Sequence, residues 1–312
     1  MGHPRLHWKA ETAIDFDTAM DQPDSPSQPG RQVGERLARR ARLALAALVL
    51  VAGLVGGSCG SKSTPTSPTS SSSSPPTLNA CGIINGTTSQ MLGILNGSTC
   101  SETNTSVVML NLRASDGSGI GQCSGTIIAP RAVLTAAHCL VDSSEPVATV
   151  KVYLGRGSTQ LVATSFQASP LYSGTNTSSV DVGVVLTGED MNRPALPLLL
   201  SREAATGEQA VIAGWGQDRS GSSGTLRAGT TTISAVGNYY LQTQISASAS
   251  GVCNGDSGGP LLLSQGGAWA LAGVTSATST NACTSGTDYY ARLRNPDIMS
   301  FVLGLVPDAT QK

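Results

Sequence analysis

Charge is scarce in this 312-residue chain: Asp, Glu, Lys and Arg together make up 12%, and the formal net charge is −1. A chain so balanced has no basic footprint for nucleic acid. Histidine is scarcer still, with three residues, two of which (His3 and His7) fall in the first ten positions. The seven cysteines form no CxxC pair. That argues against a zinc ribbon or a thioredoxin-type motif and for structural disulfides in an oxidising compartment. The most apolar run, residues 43–55, falls short of the ~20 residues needed to cross a bilayer as a helix. No residue pattern demands a metal or cofactor. What remains in abundance is Gly, Ser and Thr, beside 39% hydrophobic residues. This is enough to bury a full core and suits an exported β protein with many turns.

The chain changes character along its length. Residues 1–35 are polar, carry Pro23, Pro26 and Pro29, and show no helical or strand period. They read as disordered, or as upstream sequence translated from a misassigned start codon. Arg36, Arg39, Arg40 and Arg42 then precede the apolar run and Gly56-Gly57-Ser58-Cys59. A basic segment, a short apolar stretch and small residues before a cut describe an export signal. Cys59 behind small residues resembles a bacterial lipoprotein signal, although Gly56 stands where Leu is usual. Residues 61–77 are nearly all Ser, Thr and Pro, which cannot bury apolar surface, so an extended tether is expected. The predicted organisation is an extension and export signal (1–58), a tether (59–80), a pro-segment (81–93) and a folded domain (94–312). A plain secretion signal followed by an unimportant linker is the competing reading.

The chemistry centres on Gly251-Val252-Cys253-Asn254-Gly255-Asp256-Ser257-Gly258-Gly259-Pro260. Glycines at 255, 258 and 259 let the backbone turn sharply around Ser257, and such a turn can aim two amides at one point. A hydroxyl attacks carbonyls poorly until a base removes its proton, and His138, in Leu134-Thr135-Ala136-Ala137-His138-Cys139, is the one histidine of the main domain. An imidazole in that role needs a carboxylate to set its tautomer, and Asp181 lies in Ser179-Val180-Asp181-Val182-Gly183-Val184-Val185-Leu186. The bland alternatives are a Gly-Ser loop, an ordinary core histidine and a strand-end aspartate.

Together these stretches, with Gly214-Trp215-Gly216, resemble the chymotrypsin/trypsin family of serine endopeptidases over roughly residues 94–306. The resemblance implies an all-β fold: two six-stranded antiparallel barrels, the active site in the cleft between them, and a C-terminal helix near Asn295-Pro296-Asp297. It implies a triad of His138, Asp181 and Ser257, with the amides of Gly255 and Ser257 as oxyanion hole. It also implies disulfides Cys123–Cys139 and Cys253–Cys283. With Cys59 assigned to lipid, that leaves Cys81 and Cys100, for which we expect a third bridge that keeps a cut pro-segment attached. Activation in this family exposes a new Ile or Val that pairs with the Asp beside the nucleophile, here Ile94 with Asp256; Ile83 is the second candidate. Gly93 precedes Ile94 where Arg or Lys is usual, so an activator of trypsin type would not cut there.

By the same resemblance, the substrate pocket draws on Gly251, Ser276, Thr278 and Asp288. Gly251 stands where trypsin-like members carry Asp. Thr278, in place of Gly, narrows the mouth and favours small aliphatic side chains. Asp288, on the opposite wall, favours basic ones, and both readings stay open. The expected partners are a protein or peptide substrate and, through Cys59, a membrane lipid, with the chain a monomer. The expected location is the outer membrane or cell surface, otherwise the periplasm or the medium. A catalytically inactive binding or adhesion module on the same fold is the alternative function.

Within the domain, short β-rich runs are predicted at 107–112, 125–128, 132–135, 149–154 and 182–186. A second set falls at 209–213, 230–234, 260–263, 269–275 and 288–293.

Overall fold

The computed structural model describes residues 79–85, 96–143, 145–155, 160–174, 178–246, 248–280 and 283–312. Residues 1–58, with the export signal and Cys59, lie outside these, as do the Ser/Thr/Pro stretch and Ile94.

Thirteen strands and three helices are described. Strands β2 (Val107–Arg113), β3 (Gly119–Ala129), β4 (Ala132–Thr135), β7 (Gly183–Thr187), β6 (Leu161–Ala168) and β5 (Thr149–Tyr153) follow one another around a closed antiparallel barrel. The second barrel runs β8 (Gln209–Gly214), β9 (Arg227–Val236), β10 (Tyr240–Ile245), β13 (Gly286–Arg292), β12 (Ala268–Thr278) and β11 (Pro260–Gln265). Pairing of β8 with β9 closes it, and the two-residue β1 (Ser98–Thr99) adds to β9. Closure removes the unpaired strand edges that an open sheet would expose. The two six-stranded barrels expected from the motifs are therefore present.

Burial explains which strands could be read from sequence. All seven residues of β2 are buried, because one face fills its barrel and the other meets the second barrel. At that junction Trp215, fully buried just beyond β8, donates its indole N–H to the Val107 carbonyl at 3.2 Å. It also meets Tyr153 edge-on, with ring centroids 5.6 Å apart. A buried indole with its one donor satisfied ties the barrels together without stranding a polar group. By contrast β6 has no fully buried residue, and its apolar positions keep no single alternation along the sequence. It was not anticipated, nor were β1 and β10.

Helix α1 (Ala80–Asn85) was also unanticipated. Ile84 is fully buried in the core, its carbonyl accepts from Ser106 N at 3.1 Å, and Asn85 donates to the Ser101 carbonyl at 2.8 Å. Cys81 is bonded to Cys100, beside β1. The segment read as a pro-segment thus contributes side chains to the domain's own core. Ile83, the second candidate terminus, sits inside this helix. Helix α2 (Ala137–Val141) carries His138. Helix α3 (Pro296–Leu305) is capped by Asn295, whose side chain accepts from the amides of Asp297 and Ile298, with Pro296 at its first position.

Candidate active site

His138 and Asp181 meet across the first barrel. The ring Nδ1 lies 2.8 Å from Asp181 Oδ2, and the backbone N–H of His138 donates to Oδ1 at 2.9 Å. One carboxylate thus holds both the ring and the main chain of its partner. Asp181 is fully buried and accepts a third bond, from the Ser276 hydroxyl at 2.5 Å. Burial alone would raise the Asp181 pKa, but the His138 charge and the bonds from His138 and Ser276 outweigh it, and the net shift is downward. For His138, burial disfavours the imidazolium. Asp181 and, more weakly, Asp142 reverse that, so its pKa stands above the ordinary 6.5.

Ser276 was expected to line the substrate pocket. Its hydroxyl donates to Asp181, and a β-bulge is the reason. The pairing of β12 with β13 slips between Thr275 and Ala277, leaving Ser276 as the extra residue whose side chain is re-aimed toward the first barrel. No single-sequence signal marks a bulge at that position.

The loop carrying Ser257 packs directly on the one carrying His138. Gly258 has φ +84°, and a Cβ there would sit 2.1 Å from Thr135 Oγ1 and 2.2 Å from the Ser124 carbonyl. Only glycine permits both that backbone conformation and that approach. The Ser257 carbonyl accepts from Ser124 N at 2.7 Å and lies 3.9 Å from Cys139 Sγ, on the residue after His138. Cys139 is bonded to Cys123 of β3, and Cys253 to Cys283. Among the described residues, the cluster Cys123, His138 and Cys139 has metal-ligand residue types. Its two sulfurs are joined to each other, however, and offer no thiolate.

The amides around Ser257 are aimed by their own peptide groups. In a trans peptide the C=O and N–H point in opposite directions. The Asn254 carbonyl is held by Gln217 N at 2.8 Å, which turns the Gly255 N–H the other way. The Asp256 carbonyl is held by Gly259 N at 2.9 Å, which does the same for the Ser257 N–H. The amides of Asp256 and Gly258 are spent on the carbonyls of Cys253 and Thr275. Ser124, not singled out from the sequence, braces this frame: its hydroxyl accepts from Trp215 N at 2.9 Å and donates to the Gly255 carbonyl at 2.8 Å.

Asp256 is buried and accepts from Gly216 N at 2.8 Å and Cys253 N at 2.9 Å. Burial pushes its pKa up to about 6 against those bonds and the nearby Arg227 charge. Its expected partner Ile94 lies outside the described residues. Of the expected pocket residues, Gly251 and Thr278 adjoin Asp288, whose Oδ2 accepts from Val252 N at 3.1 Å.

The family model for Trypsin matches residues 94–297. The chain belongs to the trypsin family. Among curated relatives, Trypsin alpha of Drosophila melanogaster is 30% identical over 166 residues, covering 46% of this chain and 64% of that protein. Trypsin beta of Drosophila erecta is 30% identical over 166 residues, covering 46% and 65%. The matched stretch thus spans just under two thirds of these relatives. Among solved structures, HL collagenase is similar with a TM-score of 0.57 at 21% identity, covering 69% of this chain and 98% of that one. A mutant of human heparin binding protein gives 0.54 at 23%, covering 71% and 99%. At such identities the structural likeness is one of fold. The trypsin-family chain described here therefore has the family's two barrels, with the loops of His138, Asp181 and Ser257 gathered where the barrels meet.

Proposed function

We propose that this trypsin-family chain is an exported serine endopeptidase. The Ser257 oxygen attacks the scissile carbonyl while His138 Nε2 takes the hydroxyl proton. Negative charge collects on the carbonyl oxygen, to which the N–H groups of Gly255 and Ser257 donate hydrogen bonds. The tetrahedral species then collapses: the C–N bond breaks, His138 returns the proton to the leaving amine, and an acyl ester remains on Ser257. Water, deprotonated by the same imidazole, repeats the sequence and releases the acid. Asp181 keeps the proton of neutral His138 on Nδ1, so that Nε2 carries the lone pair that acts as base. The observation that carries the reading is this three-bond hold on Asp181. Three disulfides among the described residues support an oxidising destination, and the basic-then-apolar segment ahead of Cys59 supports export with a lipid at that cysteine.

A fluorophosphonate probe tests the chemistry. The processed chain should be labelled at Ser257, and Ser257→Ala and His138→Ala chains should not. An unlabelled, folded wild-type domain would favour the binding-module alternative. A second expectation concerns pH. A base works only when deprotonated, so kcat/KM should fall on the acid side as His138 takes up a proton. Because Asp181 and Asp142 hold its pKa above 6.5, the midpoint of that limb should lie above 6.5 and move down in Asp142→Asn. A pH–rate profile with an acid limb well below 6.5 would contradict the assignment.

A further inference from the structure

Ser124 lies on β3 of the first barrel, is fully buried, and reaches the loop of Ser257 through two donors. Its N–H donates to the Ser257 carbonyl at 2.7 Å, and its hydroxyl donates to the Gly255 carbonyl at 2.8 Å. One residue thus holds, by their carbonyls, both residues whose N–H groups face the oxyanion in the proposed reaction. The same hydroxyl accepts from Trp215 N at 2.9 Å. An amide can only donate, so the single hydroxyl proton is directed at Gly255. Neighbouring residues fix where Ser124 stands. Cys123 is bonded to Cys139, beside His138, and the Gln122 side-chain amide donates to the Trp215 carbonyl at 2.8 Å. The Ser124 carbonyl itself accepts from Thr135 Oγ1 at 2.8 Å.

Gly255 is the residue that needs such a hold. It has φ +90°, and a Cβ there would lie 3.0 Å from Gly216 Cα. Having no side chain, it keeps its N–H aimed only through the two peptide planes that flank it. The plane before it is held at the Asn254 carbonyl by Gln217 N. The plane after it is held at the Gly255 carbonyl by the Ser124 hydroxyl, and at the Asp256 N–H by the Cys253 carbonyl at 3.0 Å. Without that hydroxyl, the buried Trp215 N–H and the half-buried Gly255 C=O lose this partner together. Unmade backbone bonds in such places are costly. The 255–256 plane would turn to find another donor, and glycine's open backbone range lets Gly255 turn with it.

We propose that Ser124 is a positioning residue for the oxyanion site: its hydroxyl, carried on the first barrel, sets the Gly255 peptide so that the Gly255 N–H meets the charge developing on a carbonyl oxygen. This rests on the endopeptidase reading, because an aimed pair of amides matters only where such charge forms. Ser124 acts through Gly255 and Trp215 and is not itself part of the reacting set.

Ser124→Ala removes the hydroxyl and keeps the backbone N–H that holds Ser257. Losing a whole oxyanion donor costs about 10²–10³ in kcat. Losing its hold is expected to cost less, about 10- to 100-fold in kcat, with KM changed by no more than about twofold. A second readout isolates the oxyanion. Sulfur accepts hydrogen bonds weakly, so a well-aimed pair of amides favours a peptide ester over its thionoester, in which C=S replaces C=O. In Ser124→Ala the ester-to-thionoester ratio of kcat/KM should fall by about 10-fold, whereas a general loosening of the domain slows both substrates alike. Thermal melts show that the variant is folded. Should alanine not fold, Ser124→Gly removes the same hydroxyl, leaves room for a water on the two orphaned groups, and carries the same expectations. An unchanged kcat, or a lower one with the ratio unchanged, in a folded variant overturns the proposal and leaves the endopeptidase standing. A wild-type chain that turns over neither ester nor thionoester and does not react with fluorophosphonate sinks both.

Discussion

Asp181→Asn is expected to lower kcat by about 10⁴-fold, a size known for the same triad in chymotrypsin-like proteases rather than derived from this geometry. The direction does follow from the contacts. The backbone N–H of His138 donates to Oδ1, so an asparagine must place its carbonyl oxygen there. Its NH2 then falls at the position of Oδ2, facing the imidazole Nδ1 and the Ser276 hydroxyl. An NH2 donating to Nδ1 makes that nitrogen the acceptor and puts the ring proton on Nε2, where the base must be free. Shape and volume are kept while the tautomer is wrong. Steady-state kinetics on a peptide amide, with active sites counted by burst titration, measures the effect. A variant that kept a tenth of the wild-type kcat would show that Asp181 does not set the tautomer.

Asp288→Asn is expected to stabilise the fold at pH 8 by an amount that vanishes in acid. Burial lifts the Asp288 pKa from 3.8 to about 7, against the Val252 amide and the Thr278 hydroxyl and with the Asp256 charge adding to the rise. Between those two values the native chain holds a proton that the unfolded chain has released. Stability therefore falls as pH rises from about 4 to about 7, then levels off. A shift of about 3 units corresponds to a loss on the order of 4 kcal/mol. Asparagine does not titrate, and its oxygen can still accept from Val252 N. Asp256, raised to about 6, adds a similar fall, but it is common to both chains and cancels in the comparison. Chemical denaturation at pH 4, 6 and 8 should show the two chains diverging as pH rises. Curves that stay parallel would mean that the buried carboxyl carries no such penalty.

What sequence made legible follows from how local each cause is. The barrels could be read because strands buried on both faces, such as β2 and the first four residues of β11, are predominantly apolar and bounded by turn residues. Half-exposed β6 and the alternating β10 send a weaker signal, and α1 is too short to show a period. His138, Asp181 and Ser257 stood out because each lies in a distinctive local pattern. Ser124 did not: its value comes from contacts with Trp215 and Gly255, residues 91 and 131 positions away. Ser276 was noticed but its bond to Asp181 was not, since a one-residue slip in strand pairing decides which way its side chain leaves. Asp288 was left between two specificities, because no local pattern tells what a buried carboxylate on a strand will face.

The bulged strand β12 has a consequence for anyone redesigning this molecule. Within four consecutive residues it meets the Ser257 loop at Thr275, holds Asp181 through Ser276 and faces Asp288 from Thr278. The Ser257 loop and the side chain of Asp181 thus hang on the same stretch of backbone, so libraries that randomise β12 will disturb both at once.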